Sequence, residues 1–286
     1  MTQKPTVVIG GHGKVGRHLV PALQGRGIPV RVASRSGATY FDWFDRSTWA
    51  PALAGARSAY VVHLQNLPSP DAPERLRTLC EVAASEGVER LVLQSARGWP
   101  EAAPAENAVN EAPGLSTAVL RSAWFAQNFS EALLLHPLLA GEVRLPTGDG
   151  LEAFVDTRDV AEVAAVLLTE EGHTEDVYEV TGPTLMTFGD AVARVAEVSG
   201  RDFRFTSPTV EEFIEELRAQ DVPQLCWYME KEEFVQMEAG LFSHVRKGST
   251  GYVTDTVRRL LGREPRDFEA YAKETMATGV WDRPAA

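Results

Sequence analysis

Cysteine is nearly absent from these 286 residues: the two present, Cys80 and Cys226, lie far apart and outside any Cys-x-x-Cys pair. No disulfide framework and no metal site is implied. Positive charge is also scarce, with 28 Lys and Arg against 40 Asp and Glu and a net charge of −12. A phosphate-tracking surface needs a basic stripe, so no nucleic-acid partner is expected. A local basic pocket for a phosphorylated ligand stays open. Long apolar runs are missing as well. The stretch around Leu133–Ala140 is interrupted by His136 and Pro137 and is too short to span a bilayer, so no membrane partner is expected. Met1–Pro5 is polar and leads straight into an apolar strand, without a signal-peptide pattern. The expectation is a soluble, cytoplasmic protein. There is no internal repeat and no low-complexity tract.

What is present is a rhythm. Thr6–Ile9 is a short apolar run that reads as a buried strand. From Lys14 to about Gln24, Val15, Leu19, Val20 and Leu23 form one helical stripe, and Pro29–Ala33 reads as the next strand. Alternation continues through a short helix at Thr48–Leu53, strand Ala59–Leu64, helix Pro73–Glu86, strand Arg90–Gln94, a weak helix at Ala105–Ala112 and strand Thr117–Arg121. That pattern predicts an α/β fold, a Rossmann-type parallel sheet with helices on both faces. After about Ala123 the rhythm changes. Helices are expected over Ala123–Leu139 and Asp156–Thr169, from Thr187 to Ser199, after a Thr209/Glu212 capping box, and over Thr254–Leu261 and Arg266–Lys273. A late strand near residues 177–181 returns to the sheet. The expected division is a dinucleotide-binding domain over 1–150 and a smaller, mostly helical substrate cap over 151–286.

The first turn carries the chemistry. Gly10-Gly11-His12-Gly13-Lys14-Val15-Gly16 follows a predicted strand and opens a predicted helix. Glycines at 10, 13 and 16 make a G-x-x-G-x-x-G spacing, one residue wider in its first gap than the usual fingerprint. Glycine permits φ > 0 and lets the backbone approach a pyrophosphate, and the helix N-terminus offers free N–H groups. Binders of NAD place an acid about 20 residues further on, at the ribose 2′-hydroxyl. Here the strand ends in Ser34-Arg35-Ser36. An arginine between two hydroxyls suits a 2′-phosphate, which a carboxylate would repel. NADP(H) is therefore expected over NAD(H), with Lys14 adding positive charge; a solvated loop is the alternative for Arg35.

At this point the sequence resembles the NmrA-like branch of the atypical short-chain dehydrogenase/reductases. It is similar to ergot-alkaloid-type reductases and to NADPH-dependent quinone reductases. The likeness runs from GGHGKVG and VRVASRSG through FDWFD (Phe41–Asp45), WAPALAGARSAYVV, LVLQSARG (Leu91–Gly98) and TAVLRSAWFAQNF (Thr117–Phe129). It continues in LPTGDGLEAFVDTRDVAEVA, YEVTGP and GYVTDTVRRLLGREPRDFEAYAKE. The resemblance implies that Phe41 and Asp42 border the adenine, that His63, Leu64 and Gln65 line the cofactor crevice, and that Ser95 lies near the nicotinamide. Read without it, Asp42 and Asp45 are most simply capping or turn residues, and Ser95 a strand-end hydroxyl. The sequence departs from the wider family in lacking the Tyr-x-x-x-Lys pair: no tyrosine or lysine lies between Ser95 and Thr117. Ser122 stands where relatives commonly have proline.

Trp99, Trp124, Phe125 and Asn128, with Trp227 and Tyr228, form a candidate pocket for a flat, apolar substrate; core packing is the plain alternative. His63, Glu106 and Tyr228 are the candidate proton-transfer groups. Of these, Glu106 reads most simply as a surface carboxylate and His63 as a structural histidine. Asp156, Arg158 and Asp159 read as the start of a helix. The expected function is NADPH-dependent reduction of a quinone, enone or iminium, fitted to secondary metabolism. Two alternatives stand beside it: a non-catalytic NADP(H) sensor, and an isomerase or cyclase without net hydride transfer. The oligomeric state is open.

Overall fold

A computed structural model describes residues 3–63, 67–131, 133–173, 176–220 and 230–282. The chain forms two compact units, and it crosses between them repeatedly. The first draws on Met1–Ser122, Thr157–Val180 and Asp255–Glu264; the second on Ala123–Asp156, Thr181–Thr254 and Pro265–Ala286.

The first unit is a seven-stranded sheet. Its strands are β1 (Thr6–Ile9), β2 (Val30–Ser34), β3 (Thr39–Tyr40), β4 (Ser58–Val61), β5 (Arg90–Ala96), β6 (Ser116–Ser122) and β7 (Val177–Val180). They lie in the order β3-β2-β1-β4-β5-β6-β7, and every pairing is parallel. The expected Rossmann-type sheet is thus present. The order reverses at β1, which pairs with β2 on one side, Thr6 against Val30, and with β4 on the other, Thr6 against Ser58. A crevice outside the carboxyl ends of the strands opens at such a switch point.

Alternation along the strands sorts the two faces. Val7, Ile9, Ala59, Val61, Leu91, Leu93 and Val119 share one buried cluster with Trp49, Leu53, Leu76, Leu79 and Val109. Those partners come from α2 (Trp49–Leu53), α3 (Ala72–Ser85) and α4 (Ala103–Asn110), counting α1 as Gly16–Gly25. On the opposite face α1 packs against α5 (Thr157–Thr169), which in turn meets β4, β5 and β6. Asp159 stands in the first turn of α5, buried, and pairs with Arg263 at 2.7 Å. That segment is structural, as its helix-start pattern suggested.

The second unit is mostly helical. Its longer helices are Phe188–Ser199, Val210–Ala219, Lys231–Arg246 and Phe268–Met276, around Phe129, Phe154, Phe188, Phe242, Phe268 and Trp281. Both expected caps form: Thr187 Oγ1 accepts from Asp190 N at 3.0 Å, and Thr209 Oγ1 from Glu212 N at 3.1 Å. The single helix expected over Ala123–Leu139 does not form. Residues 124–126 are held extended by Val155 N donating to Trp124 O and Ala126 N to Val155 O, both at 2.9 Å. Only a 3-10 turn at Ala126–Phe129 and a short helix at Leu135–Leu139 remain. Pro137 lies inside the first turn of that helix, where a missing N–H costs nothing.

Candidate functional site

The glycine-rich loop leaves β1 by a turn that only glycine makes easily. Gly10 has φ +83°, and its N–H still reaches Ala33 O on β2 at 3.3 Å. Gly13 N closes the turn on Gly10 O at 2.9 Å. The loop then folds tightly onto the start of α1. A Cβ on Gly16 would lie 2.3 Å from Gly10 O, and one on Gly11 would lie 2.7 Å from Val32 Cγ1. The N-cap residue of α1, Val15, makes no side-chain cap, and a helix N-terminus in general favours negative charge.

This loop forms one wall of a cleft of about 470 Å³, lined by Ile9, Gly10, His12, Gly13, Ala33, Ser34, Arg35, Ser36, Phe41, Asp42, Trp43 and Val62. The size suits a small-molecule or cofactor site, roughly 300–1,000 Å³. Ser34 Oγ is buried there without a hydrogen-bond partner among the described residues. A buried hydroxyl without a partner is costly unless a ligand or water completes it. The opposite wall is aromatic. Phe41 meets Trp43 edge-on at 5.2 Å and stacks on Trp49 at 6.1 Å. Two indole N–H groups fix this wall: Trp43 Nε1 donates to Val62 O at 3.1 Å, and Trp49 Nε1 to Asp42 O at 2.8 Å. Asp42 Oδ1 accepts from Phe44 N, and Asp45 Oδ1 caps the following 3-10 turn through Ser47 N, both at 3.0 Å. Asp42 therefore shapes a turn and lines the cleft at once.

A second constellation lies at the carboxyl ends of β5 and β6. Ser95 Oγ donates to Glu106 Oε1 on α4. Arg121 of β6 grips the same carboxylate, with Nε at 3.0 Å from Oε1 and 3.1 Å from Oε2, and Nη2 also on Oε2. Its Nη1 lies 3.8 Å from Glu179 on β7. The surface reading of Glu106 is thereby overturned. Its side chain is only 2% exposed, because it lies on the buried stripe of α4 with Ala105, Ala108 and Val109. On the other face of the sheet, Tyr60 OH donates to Gln94 Oε1 at 2.9 Å, and Gln94 Nε2 donates to Ser122 Oγ at 2.9 Å. Burial pushes the Tyr60 hydroxyl far above the usual tyrosine range, so it stays protonated. Ser122 thus has a partner of its own.

The model of the NAD dependent epimerase/dehydratase family matches residues 6–114. Over nearly its whole length the chain is similar to the uncharacterized oxidoreductase YesF of Bacillus subtilis, 30% identical over 295 residues, covering 98% of this chain and 99% of the relative. The chain belongs to the same family of NAD(P)-dependent oxidoreductases. Agroclavine dehydrogenase of Claviceps fusiformis is 28% identical over 301 residues, covering 96% and 98% of the two chains. The NADPH-dependent quinone oxidoreductase QOR2 of Escherichia coli, solved with NADPH, shares the fold: its TM-score is 0.77 at 19% identity, over 94% of this chain and 99% of that one.

Within this family's frame, the structure brings Gly10, His12, Gly13, Ser34, Arg35, Ser36, Phe41 and Asp42 together in one cleft. Gly11, Val15 and Gly16 are buried in the loop's packing, and Lys14 is half-buried beside them; none of the four lines the cleft. His63 is buried, its ring 4.7 Å from Trp43. Leu64 and Gln65, like Trp227 and Tyr228, lie outside the described residues. Trp99 is half-buried in the first unit. Trp124, Phe125 and Asn128 belong to the second, where Trp124 stacks on Phe242 at 5.1 Å and Asn128 is buried. The contacts of Trp124 are those of core packing. Two residues escaped the sequence reading. Trp43 was signalled by the aromatic run Phe41–Phe44, and Arg121 by strand alternation, which sets it on the same sheet face as Val119.

Proposed function

We propose that the protein is an NADPH-dependent reductase of a small apolar or aromatic acceptor, a quinone, enone or iminium. The observation that carries the cofactor preference is the cleft end of β2. Ser34, Arg35 and Ser36 line it where an NAD binder would set a carboxylate, and Ser34 Oγ is buried without a partner. The glycine loop and the start of α1 would take the pyrophosphate, Ser34-Arg35-Ser36 the 2′-phosphate, and Phe41 and Trp43 the adenine. Bound there, NADPH supplies a hydride.

The acceptor class follows from what the residues do with protons. Ser95 is engaged as a donor to Glu106, whose carboxylate is held by Arg121. Tyr60 is engaged with Gln94 and held protonated by burial. Neither is arranged to give a proton to a substrate. An iminium is already cationic and becomes an amine on accepting hydride alone. A quinone accepting hydride takes its proton from water to give a hydroquinone. Both need no acid from the protein. The relative named agroclavine dehydrogenase and the fold shared with a quinone oxidoreductase support these acceptor classes. The same engagement of Ser95 favours a second reading, a non-catalytic NADP(H) sensor.

Calorimetric titration with NADPH and NADH tests the cofactor, and NADPH oxidation over a quinone and imine panel tests the reaction. Arg35→Ala is expected to weaken NADPH about tenfold or more, since a hydrogen bond to a charged group contributes about 1.5–3 kcal/mol. NADH affinity should not change. Equal wild-type affinity for the two cofactors removes the 2′-phosphate assignment. Tight NADPH binding with no turnover of any panel member selects the sensor.

A further inference from the structure

We infer that His12 is a second, titratable holder of the cofactor's 2′-phosphate, so that the protein's preference for NADPH over NADH rises as pH falls; this rests on the cofactor reading above. His12 is exposed in the middle of the glycine-rich loop and lines the same cleft as Ser34, Arg35 and Ser36. His12 stands between the spaced glycines 10 and 13, at a position whose residue type the fingerprint leaves open. An imidazole there adds a side chain that can donate to a phosphate oxygen and can carry charge.

Among the described residues that line the cleft, two other side chains are charged. Across the cleft stand Arg35, from the end of β2, and Asp42, from the loop after β3. On its own loop and helix, Lys14, Arg17 and His18 follow, and His18 Nε2 accepts from Arg17 Nε at 3.3 Å. With Arg35 and Asp42 opposite in sign, protonation of His12 is what turns the lining net positive. Among these side-chain types only an imidazole ordinarily exchanges its proton between pH 5 and 8. A bound dianionic phosphate favours the imidazolium. Binding then takes up a proton, and affinity is greatest at low pH and declines as pH rises. NADH has no 2′-phosphate and does not draw on this contact.

The experiment is calorimetry of NADPH and NADH binding to the full chain at pH 6.5 and 8.5. The phosphate's own second pKa, about 6, lies below this window. The NADPH-to-NADH affinity ratio is expected to fall about fivefold across the window. His12→Gln is expected to give the lower ratio at both pH values. His12→Arg, which keeps its charge, is expected to give the higher ratio at both. A wild-type ratio independent of pH overturns the inference while leaving the cofactor reading intact, as does an undiminished pH dependence in His12→Gln, which would point to His18. A pH dependence equal for NADH and NADPH places the imidazole on the pyrophosphate and overturns the 2′ assignment. No binding of NADPH at either pH removes the cofactor reading and this inference together.

Discussion

Replacing Arg121 by methionine tests whether the Ser95–Glu106–Arg121 cluster holds the carboxyl ends of β5 and β6 together. Methionine keeps the length of the stem and removes the guanidinium. Glu106 is then left with a side chain 2% exposed and, of its described hydrogen bonds, only that from Ser95. Stranding one partner of a buried ion pair costs about 3–5 kcal/mol. Arg121 is itself 32% exposed, so its own desolvation is partial, and about 3 kcal/mol is the expected loss. For a chain of this size each kcal/mol moves the midpoint by about 2–4 °C, so the transition should fall by about 6–12 °C in scanning calorimetry. Arg121→Met combined with Glu106→Leu should recover most of the loss, because a well-packed apolar pair replaces an ion pair at little cost. A single variant that falls by less than about 3 °C, the equivalent of about 1 kcal/mol, would refute the reasoning. So would a double variant no more stable than the single one.

Two further outcomes follow from the same structure. Gly16→Ala forces a methyl to 2.3 Å from Gly10 O, so the loop must move; NADPH binding is expected to be lost while circular dichroism of the fold is retained, and unchanged affinity would contradict the close approach. Glu238, half-buried on the helix Lys231–Arg246, has its carboxyl pushed up from 4.5 to about 7 by burial. The folded state then binds a proton that the unfolded state has released, so stability is full at low pH and is lost as pH rises from about 4.5 through about 7. On the order of 2 kcal/mol should disappear between about pH 5 and 8, and denaturation of Glu238→Gln should lack that component; an identical pH profile would remove Glu238 as its source.

Several expectations were local, and these were legible without coordinates. The glycine-rich turn at Gly10–Gly16 and the capping boxes at Thr187 and Thr209 rest on backbone rules that span a few residues. The alternating strands and helices rest on hydrophobic periods that each segment carries within itself. The burial of Glu106 was of another kind. It needs Arg121 and Ser95 from two neighbouring strands, and nothing within α4 announces their arrival. The helix expected over Ala123–Leu139 failed for a similar reason: its apolar residues satisfy the pattern, but Val155, distant in sequence, captures the backbone at Trp124 and Ala126. Trp43 joined the cleft because its indole reaches Val62 O on a strand end it does not adjoin in sequence.

The amino-acid sequence by itself determined the α/β class, the tight glycine-rich turn after β1 and the missing acid at the end of β2. Each of these depends on residues near one another in the chain, and on what glycine, arginine and carboxylate do anywhere. Only the tertiary structure decided which carboxylate is buried, which aromatic faces the cleft and how the chain returns to each of its two units. Those outcomes depend on partners supplied from far along the sequence, and a buried polar group takes whichever partner packing brings within reach.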